Sequence, residues 1–179
     1  MKNLISDEYR TLLQNYRTKR ADWGGTGRKY GEEVAAYARE MGCESILDYG
    51  CGNQSLKLTL PRYLRYAGYD PAIEEYSHFP EGEWDLICCI DVMEHVEEDC
   101  VDAVLERIHA AAEVGVYFLI SLVAAKAVLP DGRNAHITLL EPEEWYEKLN
   151  KFNWGWSRAI IKDKFIKFIA RKRSYQDVE

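Results

Sequence analysis

The stretch Ser45-Ile46-Leu47-Asp48-Tyr49-Gly50-Cys51-Gly52 decides the fold. It reads as a buried strand that ends in an acidic residue and breaks into a glycine turn, where a missing Cβ lets backbone come close to a ligand. Eighteen residues beyond Gly52, Tyr69-Asp70-Pro71 places a second carboxylate at the end of another apolar run. Strand, glycine turn, helix, then a strand ending in a ribose-binding carboxylate is the logic of a nucleoside-cofactor site in a doubly wound α/β sheet.

Three segments carry a resemblance to a known family. Ile46-Leu47-Asp48-Tyr49-Gly50-Cys51-Gly52 resembles the first motif of class I S-adenosylmethionine-dependent methyltransferases. Gly68-Tyr69-Asp70-Pro71 is similar to that family's second motif, and Trp84 to Val96 to its fourth strand and the loop after it. Order and spacing agree over about residues 30–122. The dinucleotide pattern G-x-G-x-x-G is not met, since Ser55 stands at its third glycine. The resemblance implies S-adenosylmethionine as cofactor. Gly50, Cys51 and Gly52 would pass under its methionine and ribose with backbone N–H groups directed at it. Asp48 would hold its ammonium group, Asp70 would accept the ribose hydroxyls, and Asp91 would contact it. The fold implied is α/β: a doubly wound, Rossmann-like methyltransferase sheet, mostly parallel, with an antiparallel C-terminal hairpin.

A chain of 179 residues suits one domain with a substantial core. Its regions are expected as residues 1–42 for N-terminal helices and lid, 43–122 for the cofactor-binding core, and 123–179 for a substrate loop and the hairpin. A net charge of −7 gives no general attraction to nucleic acid. Five cysteines, none spaced C-x-x-C, suit reduced thiols in a cytoplasm. The N-terminus lacks the apolar segment of a signal peptide, and no apolar run approaches the roughly 20 residues of a membrane span; no membrane partner is expected.

Along the chain, Ser6 caps a first helix carrying Tyr9, Leu12, Leu13 and Tyr16 on one face. Helices are predicted at about Lys29–Met41, Gln54 to Pro61, Glu97–Glu113 and Pro142–Asn150. Strands are predicted at Ser45–Tyr49, Arg65–Tyr69, Trp84–Ile90, Val114–Leu122, Trp156–Ile161 and Phe165–Arg171, with a tight turn at Lys162-Asp163-Lys164. Only about fourteen residues separate Asp70-Pro71 from Asp85, where the family fits a helix and a third strand. The third-strand region is therefore shortened and the adenine side more open, with His78, Phe79 and Trp84 as candidates to cover the base.

Asp91-Val92-Met93-Glu94-His95 falls just past the fourth of the family's strands, where open α/β sheets place ligands. His136 lies on the long connection after the fifth. Asp91, Glu94, His95 and His136 together can ligate a divalent cation, Mg or Mn. Alternatively His95 or His136 is a general base for a substrate hydroxyl. The set is similar to two metal-using branches of the family, the 3′-terminal 2′-O-methyltransferases of small RNAs and the O-methyltransferases of ubiquinone biosynthesis. It departs from them by having Asp91 at the first carboxylate. His109 reads as a surface residue.

Asp22 to Tyr30, with its aromatic residues, glycines and cations, reads as a lid, and Leu129 to Asn134 as a second substrate loop in which Arg133 can bind an anion. Lys162, Lys164, Lys167, Arg171, Lys172 and Arg173 form a basic hairpin and tail that can track a nucleic-acid backbone, though a lysine-protected edge strand is the more usual reading. The leading expectation is methyl transfer to an oxygen or nitrogen of a small molecule. The alternatives are a metal-dependent RNA-terminal 2′-O-methyltransferase and a non-catalytic cofactor- or partner-binding module. Oligomeric state is not legible.

Overall fold

The computed structural model describes residues 3–18 and 25–172. The readings placed on Asp22, Trp23, Gly24 and Arg173 lie outside these. Six strands form one sheet: β1 (Ser45–Tyr49), β2 (Arg65–Tyr69), β3 (Trp84–Ile90), β4 (Ala112–Ser121), β5 (Trp154–Lys162) and β6 (Phe165–Lys172). Their order is β2-β1-β3-β4-β6-β5, the first four parallel and the last two antiparallel. Four helices accompany them: α1 (Asp7–Arg17), α2 (Gly31–Glu40), α3 (Glu98–Ala111) and α4 (Pro142–Asn150).

The period of two along a strand sorts each residue to one face of the sheet. On β3, Leu86, Cys88 and Ile90 pack with Val34 and Ala38 of α2. Ile87 and Cys89 face the other way, onto Val101, Val104 and Ile108 of α3 and Trp145 and Leu149 of α4. The unbroken apolar run of β3 follows, because both of its faces are covered. All five cysteines are buried, unbridged thiols. Among the described residues no helix is long and apolar enough to cross a membrane.

Local signals set the helix ends. Ser6 Oγ accepts from Tyr9 N at 3.1 Å at the start of α1. Gly42, at φ +71°, follows α2 in the left-handed conformation that only glycine adopts without strain. Glu141 and Glu144 form a capping box on α4, with Pro142 in its first turn.

Four readings need correction. The helix predicted from Gln54 to Pro61 is only a 3-10 turn at Lys57–Thr59. Gln54 sits at φ +57°, and Leu60 is extended before Pro61, so neither end can propagate a helix. The helix predicted from Lys29 starts at Gly31, after a 3-10 turn at Thr26–Lys29. β5 begins at Trp154 rather than Trp156. His109 is not a free surface residue: its ring stacks on Phe152 at 4.6 Å and meets Trp154 edge-on at 4.9 Å. The shortened region is as expected. Between β2 and β3 the chain forms only a 3-10 turn, Glu74–Tyr76, which leaves β2 at the sheet edge.

Candidate active site

A cavity of about 660 Å³ opens at the carboxyl ends of β1, β2 and β3. Tyr49 to Gly52, Asp70 to Ala72 and Ile90 to Val92 line one side, with His95 and His136 further along the wall. Parallel βα units put strand ends and the turns after them at this edge, which explains why all three sequence motifs converge there.

The glycine turn works by shape. Gly50 lies at φ +76°, and a Cβ there would stand 2.3 Å from Val92 Cγ2. The turn's N–H groups are not directed at a ligand as expected. Those of Gly50 and Cys51 donate to Tyr69 O, at 2.7 and 3.0 Å, and that of Gly52 donates to Asp70 Oδ2 at 3.1 Å. The turn is thereby locked to the end of β2.

The two strand-end carboxylates differ in environment. Asp48 is buried, accepts from Tyr66 Oη at 2.7 Å, and has its pKa pushed up to about 7, by burial first and then by the Asp70 charge. Asp70 accepts from Gly52 N and from Ala72 N at 3.0 Å, and Arg17 Nη1 stands 3.6 Å from its Oδ2. Burial raises its pKa, opposed by these N–H groups and by Arg17.

Past β3 the chain turns sharply, with Asp91 at φ +59°. Asp91 accepts from Thr26 Oγ1 at 2.9 Å, which ties the proposed lid segment to the cavity edge. Glu94 is wholly buried. Its Oε1 accepts from Ser121 N at 2.9 Å, and its Oε2 has no hydrogen-bond partner among the described residues. Burial, then the neighbouring Asp91, raises its pKa well above the carboxylate range. His95 Nδ1 lies 2.6 Å from Ala135 O, and His136 Nδ1 lies 2.5 Å from Val123 O. Because a carbonyl only accepts, both Nδ1 atoms carry hydrogen, so any proton transfer falls to Nε2. The rings meet edge-on with centroids 4.8 Å apart. Burial and the nearby His136 lower the pKa of His95 to about 4.

One ligand atom each from Glu94, His95 and His136 lie within 4.8 Å of one another, a spacing that could hold a cation. Asp91 is not in that group. His78, Phe79 and Trp84 do not line the cavity. Phe79 packs on Tyr69 beneath Arg107, and Trp84 is buried under Arg65. Arg133 pairs with Asp131 at 2.7 Å and is also outside the wall. The sequence reading placed α1 but not its approach to the cavity. Ile5, Tyr9, Leu13 and Arg17, each four residues apart, all line the cavity. That spacing is the available signal, and by itself it says only that these residues share one face of a helix.

The family model for a methyltransferase domain matches residues 5–169. The chain belongs to the methyltransferase-domain family. This membership supports the resemblance to class I S-adenosylmethionine-dependent methyltransferases read from the three motifs. No curated protein sequence matches this methyltransferase. Solved structures share its fold at low identity. Magnesium protoporphyrin IX methyltransferase from Synechocystis, with bound SAM, is 16% identical at a TM-score of 0.62, covering 96% of this chain and 100% of that one. The 1,6-didemethyltoxoflavin-N1-methyltransferase of Burkholderia thailandensis, with its substrate and S-adenosylhomocysteine, is 15% identical at 0.61, covering 97% and 94%. The mitomycin 7-O-methyltransferase is 15% identical at 0.63, covering 92% and 60%.

Proposed function

We propose that this methyltransferase moves the methyl group of S-adenosylmethionine to an oxygen or nitrogen of a small molecule. One observation carries the reading: a single cavity joins two strand-end carboxylates to a pair of imidazoles whose Nδ1 atoms are held by backbone carbonyls. The donor set fits the cofactor, with Asp48 for its ammonium, Asp70 for its ribose diol, and Gly50, Cys51 and Gly52 as the close-fitting turn. When bound, it supplies an electrophilic methyl group. The chain's own residues position the acceptor and exclude water. His95 or His136 accepts the acceptor's proton at Nε2. The nearby His136 and burial both work against a positive charge on His95.

A cavity of about 660 Å³ is of ordinary size for a small-molecule site. Neighbours named for a porphyrin, a toxoflavin precursor and mitomycin support the same acceptor class. Calorimetric titration with S-adenosylhomocysteine tests the cofactor half: micromolar binding that Asp70→Ala abolishes is expected, and no binding would sink the reading. Turnover that survives both Asp70→Ala and His95→Ala would remove the proposed roles. Cofactor binding without turnover would favour the binding-module reading.

A second reading adds a divalent cation, Mg or Mn, held by Glu94, His95 and His136, with Asp91 behind them. The clustering of one ligand atom each from Glu94, His95 and His136 within 4.8 Å of one another favours it. Manganese binding that Glu94→Gln removes would support it, and metal-independent turnover after chelation would exclude it. RNA-terminal transfer depends on this reading and has weaker support. Lys167 of the basic hairpin is occupied by Glu33 at 2.5 Å, which interrupts any continuous cationic track. Transfer to RNA ends with manganese present tests it directly.

A further inference from the structure

On the function proposed above, we infer that the acceptor is anionic and that Lys126 binds its negative group at the mouth of the cavity. Lys126 lies on the long connection between β4 and α4, which a side chain folds into a braced hairpin. Asn134 Oδ1 accepts from Ala125 N at 2.9 Å, and Asn134 Nδ2 donates to Ala125 O at 2.8 Å. Ala135 N donates to Ala127 O at 3.0 Å, and His136 N to Asn134 Oδ1 at 2.9 Å. The backbone on both sides of Lys126 is thus fixed against the segment that carries His136.

Lys126 lines the cavity and is exposed at its rim. No carboxylate among the described residues pairs with it, whereas Arg17 is held by Asp70 and Arg133 by Asp131. The wall beside it is apolar, built from Ile5, Leu13 and Ala127. Across such a hairpin the two backbones are about 5 Å apart. Anion and nucleophile are then separated by roughly one ring or a short chain, with the apolar body of the acceptor against α1. An amine-bearing acceptor would meet an uncompensated cation here.

The test uses the full chain saturated with S-adenosylhomocysteine. It is titrated with matched pairs that differ only in charge, a hydroxybenzoate against the hydroxybenzamide, and equivalents on two-ring and linear bodies; a phosphate-monoester arm separates the two anion types. The acid or phosphate member of at least one pair should bind about tenfold more tightly than its neutral partner, the scale of a charge-assisted hydrogen bond. Lys126→Met should erase that preference and leave S-adenosylhomocysteine affinity unchanged. No charge preference in any pair overturns the inference, whether both members bind equally or neither binds. A preference that survives Lys126→Met overturns it too. So does weakened S-adenosylhomocysteine binding in Lys126→Met, which would assign the lysine to the cofactor. Failure of the wild-type chain to bind S-adenosylhomocysteine would instead fault the proposed function.

Discussion

Asp48 accepts a hydrogen bond from Tyr66, yet burial and the neighbouring Asp70 charge push its pKa up to about 7. In the unfolded chain the same group titrates near about 3.9. Its protonated form therefore adds stability that is complete below the unfolded value and is lost as pH rises through about 7. The cofactor ammonium selects the ionised form. S-adenosylhomocysteine should accordingly bind about tenfold more weakly at about pH 6 than at about pH 8. Asp48→Asn should flatten that profile, and a flat wild-type profile by calorimetry would remove Asp48 from the ammonium site. His95 has the opposite sign. Its folded pKa of about 4 lies below the unfolded value, so the stability from keeping it neutral is present above about 6.5 and lost as pH falls toward 4. The stability gap between wild type and His95→Asn should narrow by on the order of 3 kcal/mol between about pH 7 and 4. Urea denaturation at both pH values measures it, and an unchanged gap would mean that His95 is not buried as a neutral ring.

At the scale of the element, α1 spans the cavity between two polar ties. At one end Ser6 N and Oγ both donate to the Glu97 carboxylate, at 2.8 and 2.7 Å. At the other Arg17 faces Asp70. Between them a small apolar cluster joins α1 to Leu129 and Ala135 of the connection after β4, and Arg133 lies over the Tyr9 ring at 5.4 Å. Ser6→Ala removes the cap and the Oγ half of the Glu97 tie, and leaves the backbone N–H bond to Glu97. It should cost about 1 kcal/mol and speed amide exchange in α1 while leaving β3 and β4 protected. Arg17→Met frees a lone pair of Asp70 and should tighten S-adenosylhomocysteine binding a few-fold; unchanged or weaker binding would show that Arg17 does not compete for the ribose carboxylate. The existence of α1 and its Ser6 cap were legible, because both are local. Its placement was not, since a stripe at helical spacing looks the same over a cavity as over a core. The lost helix at Gln54 has a related cause: a left-handed residue leaves no propensity signal when it is not glycine or asparagine.

At the scale of the molecule, the parallel strands and the motifs at their ends were legible, since β1, β2 and β3 each carry their pattern within a few residues. What the turn's N–H groups bond was not legible, because Tyr69 O reaches Gly50 and Cys51 only through the β1–β2 register. The same holds for the brace from Asn134 to Ala125 that shapes the wall near His136. The trimmed sheet edge was legible from spacing set against the plan of the family the motifs resemble, and it leads to a distinct expectation for the cofactor. With β2 at the edge, Pro71 and Ala72 are what this side adds to the cavity wall beyond Asp70. The carboxylates that line the cavity are Asp48, Asp70, Asp91 and Glu97, and none comes from the segment between Ala72 and Trp84. On the proposed cofactor placement the adenine amino group then faces no carboxylate, while the ribose diol faces Asp70. Exchanging that amino group for a carbonyl, as in S-inosylhomocysteine, should cost less than about threefold in affinity, because no buried acceptor loses its partner. Deleting the ribose 2′-hydroxyl should cost about tenfold or more, because the Asp70 lone pair it would engage is then left unfilled in a buried site. Titrating both analogues against one protein sample gives the ratio directly. A penalty for the inosine analogue equal to that for the deoxy analogue would mean that the shortened edge still reads the base.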